Sequence, residues 1–90
     1  MAEQIITSNR KEYYVEAGVD LNTNVSKVGI YRCFFIGEEK HNLFFIFDGN
    51  NIIHLNTPWF HDSIAITVSG GNIVLRYDNN STLICLAYIG

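Results

Sequence analysis

The chain is short, weakly acidic and poor in charge. It has 90 residues with a formal net charge of −3, and 48% of them are hydrophobic but only 17% are charged. A typical soluble domain carries about 25% charged residues, and a small domain has proportionally more surface to hydrate. We therefore expect a single domain spanning residues 1–90, with part of its surface facing another protein chain.

The cationic residues do not point to nucleic acid. The six Lys and Arg residues are scattered along the sequence at Arg10, Lys11, Lys27, Arg32, Lys40 and Arg76. The basic stripe typical of nucleic-acid binding is therefore missing. No apolar run approaches the roughly 20 residues that cross a bilayer, and residues 1–11 form a polar N-terminal arm without the apolar segment of a signal peptide. We expect no nucleic-acid partner, no membrane span, and a location in a virion or a host cytoplasm.

Short runs of β-branched and aromatic residues, separated by turn residues, predict strands throughout. In chain order the predicted strands are 13–17, 27–36, 43–47, 52–55, 63–68, 73–77 and 83–89. No stretch has the 3.6-residue apolar period of a helix. This spacing, with its short hairpin loops, predicts an all-β fold: an antiparallel, jelly-roll-like β-sandwich of seven to eight short strands.

Two local features refine the strand prediction. The Asp48-Gly49 step between two strands predicts a type I′ hairpin turn. Cys33 and Cys85 each lie inside an apolar run of a predicted strand. Without a secretion signal, buried free thiols are favoured over a disulfide between them.

Three predicted strands are apolar on both faces. Strand 83–89 and strand 43–47 contain no charged residue, and only Arg32 interrupts the run 31–36. A two-layer sandwich has one core, so its outer faces should be polar. Either the N-terminal arm or another subunit must cover these faces, and we expect a homo-oligomer, with a trimer favoured over a dimer. The predicted interface residues are Leu83, Cys85, Leu86, Tyr88, Phe35, Phe44 and Phe45.

No motif indicates catalysis or a metal site. The histidines His41, His54 and His61 lack the spacing of metal ligands. Ser63 follows His61, but no third group completes the arrangement that activates a nucleophile. We therefore expect no enzymatic activity, no metal and no cofactor.

The loop 56–62 holds the residues best suited to contact a ligand. Trp59, Phe60 and His61 follow Pro58, and such aromatic side chains can stack on a sugar or on a partner's side chain. Asp48, Asn50 and Asn51, which we expect on a neighbouring loop, can offer hydrogen bonds to hydroxyl groups. Two other interpretations remain open: the aromatic pair closes the open end of the sandwich, and the Asp and Asn residues only form a turn. The candidate ligand site comprises Trp59, Phe60, His61, Asp48 and Asn50.

The C-terminal third of the chain has a characteristic pattern of turn and strand residues. Residues 63–90 read SIAITVSGGNIVLRYDNNSTLICLAYIG, with an Asn/Ser/Thr turn, an apolar strand and a Tyr-Ile-Gly end. Residues 62–90 in this way resemble the C-terminal strands of bacteriophage tail-fibre and related virion β-domains, although the chain has no repetitive shaft. Such domains are typically trimeric knobs or caps that bind a host surface or a neighbouring virion protein.

The resemblance and the apolar strands lead to one functional expectation. We expect a non-enzymatic, self-associating structural or receptor-binding module. Its partners would be copies of itself and either a cell-surface glycan or another virion protein. The alternative is a small carbohydrate-binding lectin that uses the aromatic loop. The resemblance lies in the general residue pattern and not in a site, so it assigns no role to any individual residue.

Overall fold

A computed structural model describes residues 10–90 of the chain. Within this range every regular element is a strand, which confirms the predicted all-β class. The eight strands are β1 (Arg10–Val15), β2 (Leu21–Asn22), β3 (Gly29–Phe35), β4 (Leu43–Phe47), β5 (Ile52–His54), β6 (Ile64–Ser69), β7 (Asn72–Tyr77) and β8 (Thr82–Tyr88).

The strands form two antiparallel sheets. The larger sheet has the order β1-β8-β3-β4-β5, and the smaller sheet has the order β2-β7-β6. The first two strands pair with the last two: β1 lies beside β8 in one sheet, and β2 lies beside β7 in the other. This ribbon, divided between two sheets, is the jelly-roll-like part of the fold, whereas β3, β4 and β5 form a simple meander. The predicted antiparallel sandwich is confirmed.

The core lies between the two sheets. Side chains alternate between the faces of each strand, so every second residue points inward. Alternation predicts that Ile64, Ile66 and Val68 of strand 63–68 face inward, and their buried or half-buried side chains confirm it. In 27–36 and 73–77 alternation separates two faces without showing which one is inward, and the structure places the following side chains in the core: Tyr31, Cys33, Phe35, Ile73, Leu75 and Tyr77. Leu43, Phe45 and Phe47 of β4 complete the centre of the core.

Two strand boundaries differ from the prediction. No strand was predicted between 13–17 and 27–36, yet this stretch contains β2, in which Leu21 and Asn22 pair with Leu75 and Val74 of β7. So short a strand exists only because β7 offers it a partner, and the local sequence carries no signal for it. Residues 10 and 11 of the predicted arm belong to β1, where they pair with β8, while residues 1–9 lie outside the described range.

The β4–β5 hairpin forms, but its predicted turn type is wrong. A type I′ turn needs positive φ at both central residues. Gly49 has φ of 100°, and it is the only residue of the turn with a positive φ. The amide of Asp48 donates to the carbonyl oxygen of Asn51 (3.2 Å), which places Gly49 at the first central position. A positive φ at that position alone is the feature of a type II′ turn.

The two cysteines are free and buried, as predicted. They lie on adjacent strands, and Cys85 is the register partner of Phe34. Because neighbours in a strand point to opposite faces, Cys33 faces the core while Cys85 faces the outside of the sheet, so the two thiols cannot pair. Burial raises the pKa of the Cys33 thiol to about 12, with Cys85 as the lesser cause.

Candidate functional site

The outer face of the five-stranded sheet carries a row of isoleucines. Ile30 of β3 pairs with Ile46 of β4, which pairs with Ile53 of β5. Paired residues point to the same face of a sheet. The amide of Ile89 donates to the carbonyl oxygen of Ile30 (2.7 Å), so Ile89 extends the row towards β8. We call Ile30, Ile46, Ile53 and Ile89 the isoleucine patch.

The isoleucine patch is open to solvent at both ends. Ile53 is 50% exposed and Ile89 is 53% exposed, while Ile30 and Ile46 between them are half-buried. Leu55 continues the apolar surface next to Phe44, because its amide donates to the Phe44 carbonyl oxygen (2.7 Å). The patch is thus a continuous strip across three strands and the residue that follows β8, which differs from the scattered single apolar side chains that are normal on a surface.

The outer face also carries an aromatic side chain, Phe34, which is shielded from solvent. Phe34 lies on the outer face of β3 opposite Cys85, yet its side chain is fully buried. The guanidinium carbon of Arg32 lies 4.5 Å from the centre of the Phe34 ring, and that of Arg10 lies 5.4 Å from it. These cation–π contacts and the aliphatic stems of the arginines cover the ring. The middle of the outer face is therefore cationic, and the isoleucine patch lies to one side.

The predicted interface residues divide between the two faces of the sheet. Phe35, Phe45 and Leu86 are buried in the core of the chain itself, and Tyr88 packs against that core while half-buried. Those side chains do not reach the outer face. The remaining predicted residues lie on the outer face, namely Leu83, Cys85 and Phe44. Cys85 is fully buried there and is not open to a partner. The exposed members of the isoleucine patch, by contrast, were not among the predicted interface residues.

The two aromatics of the 56–62 loop have different environments. Phe60 is fully buried and packs edge-on against Phe35, with ring centres 4.8 Å apart. It closes that end of the sandwich, as the structural interpretation of the loop expected. Trp59 is 57% exposed, and its ring lies 6.0 Å from Phe35 and 5.4 Å from Phe60. The structure thus leaves one aromatic surface, the indole of Trp59, available to a ligand.

His61 lies in the same loop as Trp59, half-buried and beside a second histidine. Its ring centre is 6.5 Å from that of His54 in β5, and its Nε2 lies 3.0 Å from the Asp62 carboxylate. The His54–His61 approach was not predicted, because the two residues lie in different elements and only the tertiary fold brings them together. Within residues 10–90 no three His, Cys, Asp or Glu side chains are placed to hold a metal ion.

The candidate residues Asp48 and Asn50 lie at the other end of the sheet. They follow Phe47, which pairs with the first residue of β3, whereas Trp59 packs on the last residue, Phe35. The length of β3 separates these ends by about 20 Å. The Asp48 carboxylate accepts hydrogen bonds from the amides of Asn50 (2.9 Å) and Asn51 (2.7 Å), and these bonds lower its pKa. Asp48 therefore shapes its own turn and does not join Trp59 in one site.

Comparisons with known proteins add no family. Neither the models of protein families, nor the curated proteins, nor the solved structures contain a match to this chain. In the described part of the chain, no helix is long and apolar enough to cross a membrane. The surfaces of the molecule are therefore the guide to its function.

Proposed function

We propose that this protein is a non-enzymatic module that works as a homo-oligomer, assembled through the outer face of its five-stranded sheet. The observation that carries the proposal is the isoleucine patch, which crosses β3, β4 and β5 and is half-exposed at Ile53 and Ile89. Burying such apolar surface is the main driving force of protein association. The low charge content of the chain favours the same arrangement.

The occupant of the patch is best explained as a second copy of the chain. The outer edges of the sheet are poor sites for pairing, because β1 carries Arg10, Lys11 and Glu12 and β5 has only three residues. Charged and very short edge strands oppose edge-to-edge association. Packing of one sheet face on another remains, and a two-fold axis through the patch would place isoleucines against isoleucines.

The area of the outer face of the five-stranded sheet sets the expected affinity of the dimer. Five strands about 4.8 Å apart, none longer than seven residues, cover less than about 600 Å² in plane. Two stacked faces would bury on the order of 1,000 Å² in total, at the lower end of specific interfaces. We therefore expect a reversible dimer with a dissociation constant on the order of micromolar. One open apolar patch needs one copy to cover it, which favours a dimer over the trimer expected from the sequence.

Analytical ultracentrifugation tests this proposal with two matched variants. Ile53→Lys places a charge in the patch, whereas Thr67→Lys places the same charge on the exposed outer face of β6 in the other sheet. We expect the wild type and Thr67→Lys to sediment as about twice the 10.2 kDa chain, and Ile53→Lys to sediment as a monomer. A wild type that stays monomeric at high micromolar concentration would sink the proposal, as would an Ile53→Lys variant that still dimerises.

A second candidate function is carbohydrate binding at Trp59. It is supported by the exposed indole, which Phe35 and Phe60 hold in place, and by the two histidine rings of the same end. Aromatic faces with polar neighbours are typical of sugar contacts. A glycan array compares the wild type with Trp59→Ala, and binding that survives the substitution would remove this candidate.

The resemblance of residues 62–90 to tail-fibre and related virion β-domains supports an oligomeric structural or receptor-binding role. In that role the sheet face would assemble the module, and the opposite ends of the sandwich would stay free to meet a receptor or another virion protein.

A further inference from the structure

We propose that the end of the sandwich opposite Trp59 binds a small organic anion with a flat apolar body, in a cavity lined by Lys11 and Lys27. The cavity has a volume of about 290 Å³. It opens between the start of β1, the end of β8 and the segment that leads into β3. The site is separate from the isoleucine patch, and the inference stands independently of self-association.

Charge is the first argument for an anion. Three of the chain's six Lys and Arg residues line this one cavity, namely Arg10, Lys11 and Lys27, although they are scattered in the sequence. None of the described lining residues is acidic. The ion pairs found among residues 10–90 involve Arg76 and His61 and leave the cations of this cavity out. Concentrated positive charge in a protein of net charge −3 is a site for a negative ligand group.

The two lysines are the main charges, because both lie against rings of the cavity wall. The Lys27 Nζ lies 4.3 Å from the centre of the Tyr88 ring, and the Lys11 Nζ lies 5.8 Å from that of Tyr13. Arg10 lies at the rim, with its guanidinium turned towards Phe34 on the outer face. A ligand anion between the lysines would gain charge-assisted hydrogen bonds from both ammonium groups.

The walls are apolar and aromatic, which defines the rest of the ligand. Tyr13, Tyr31 and Tyr88 come from three adjacent strands, and Val25 and Leu86 add aliphatic surface. Aromatic walls with a few placed polar groups are typical of sites for small organic ligands. A bare inorganic anion would leave these walls unused, so the proposed ligand combines one anionic group with a ring or a short apolar chain.

The same tyrosines hold the cavity open. Their hydroxyl groups donate to carbonyl oxygens of the segment between β2 and β3: Tyr13 to Thr23 (3.4 Å), Tyr88 to Val28 (3.1 Å), and Tyr31 to Lys27. These bonds fix one wall of the cavity against the sheet. Burial is the main cause that raises the pKa of Tyr31 to about 12, with smaller contributions from Tyr88 and Tyr13, so this hydroxyl adds no negative charge near neutral pH. A wall fixed before binding reduces the entropy lost on binding.

An NMR titration with phenyl phosphate tests the inference on the full chain at low ionic strength. The ligand controls are inorganic phosphate, which has only the anionic group, and phenol, which has only the aromatic ring. We expect phenyl phosphate to bind with a dissociation constant on the order of 0.1–1 mM and to shift the amide signals of Lys11, Val25, Lys27 and Leu86. Inorganic phosphate and phenol should each bind at least tenfold more weakly than phenyl phosphate.

The matched variants are Lys11→Gln with Lys27→Gln, and Lys40→Gln in the β3–β4 turn. All three lysines are exposed, so the fold should survive, which the dispersion of the amide spectrum checks. We expect the double variant to lose at least tenfold in affinity and Lys40→Gln to lose none. Three results would overturn the inference: shifts that map elsewhere, equal losses in both variants, or inorganic phosphate or phenol binding as tightly as phenyl phosphate.

Discussion

Substitution of Gly29 by alanine should destabilise the fold through Tyr88. A Cβ at Gly29 would lie 2.5 Å from Cε1 and 2.7 Å from the hydroxyl oxygen of Tyr88, and the residue has φ of 154°. The strand cannot retreat, because Gly29 pairs with Phe47 of β4. The Tyr88 ring must therefore move, and it would lose the contacts that it makes on this side of the sheet.

The structure gives the size of this loss. Tyr88 donates to Val28 (3.1 Å), a bond that contributes about 1 kcal/mol. It packs edge-on against Tyr31 at 5.2 Å, which contributes about 1 kcal/mol. The Lys27 contact adds about 0.5 kcal/mol. With about 1 kcal/mol for the backbone conformation, Gly29→Ala should lower the free energy of unfolding by about 3.5 kcal/mol, which corresponds to roughly 14–28 °C in Tm.

Thermal unfolding followed by circular dichroism measures this effect, with Gly37→Ala as the matched control. Gly37 also has a positive φ, of 94°, but a Cβ there would meet nothing within 4 Å. The control should therefore lose only the backbone contribution of about 1 kcal/mol. In the Gly29→Ala background, removing the ring by Tyr88→Ala should cost much less than in the wild type. Equal losses at Gly29 and Gly37 would refute the reasoning.

Two further predictions concern the other end and the centre of the fold. Phe60→Ala should lower the free energy of unfolding by about 3–4 kcal/mol because Phe60 is fully buried, whereas Trp59→Ala should lower it by less than about 1 kcal/mol. Urea unfolding checks both, and similar losses would contradict the plug role of Phe60. The pKa of Cys33 rises to about 12 on folding, so the unfolded chain loses its thiol proton first. Stability should fall by about 1 kcal/mol between pH 9 and 10, and a Cys33→Ala variant that falls as steeply would contradict this cause.

The candidate sites were partly visible in the sequence. The excess of apolar residues on strands β3, β4 and β8 indicated that an outer face needs a cover, and the structure places Phe44 and Leu83 on that face. Side-chain alternation alone could not show that Phe35, Phe45 and Leu86 belong to the core and not to the interface. A strand that is apolar on both sides gives no sign of which side meets the second sheet.

The predicted ligand site likewise depended on strand order, which the local sequence does not encode. Phe60 and Trp59 are adjacent in the sequence, yet one is fully buried and the other is 57% exposed. Asp48 and Asn50 were grouped with them on residue type alone, and the length of β3 separates the two loops. Which loops meet at one end of a sandwich depends on strand order, and no local pattern encodes strand order.

The sequence by itself determined the all-β class, seven of the eight strands and the inward face of β6, because these depend on side-chain alternation and on turn residues nearby in the chain. Only the tertiary structure decided which apolar face stays open to solvent, since that depends on how the second sheet is placed. It also brought Lys11 and Lys27 together around three tyrosines. Antiparallel pairing of β1 and β3 with β8 makes neighbours of residues far apart in the chain, and that pairing turns scattered charges into a cavity.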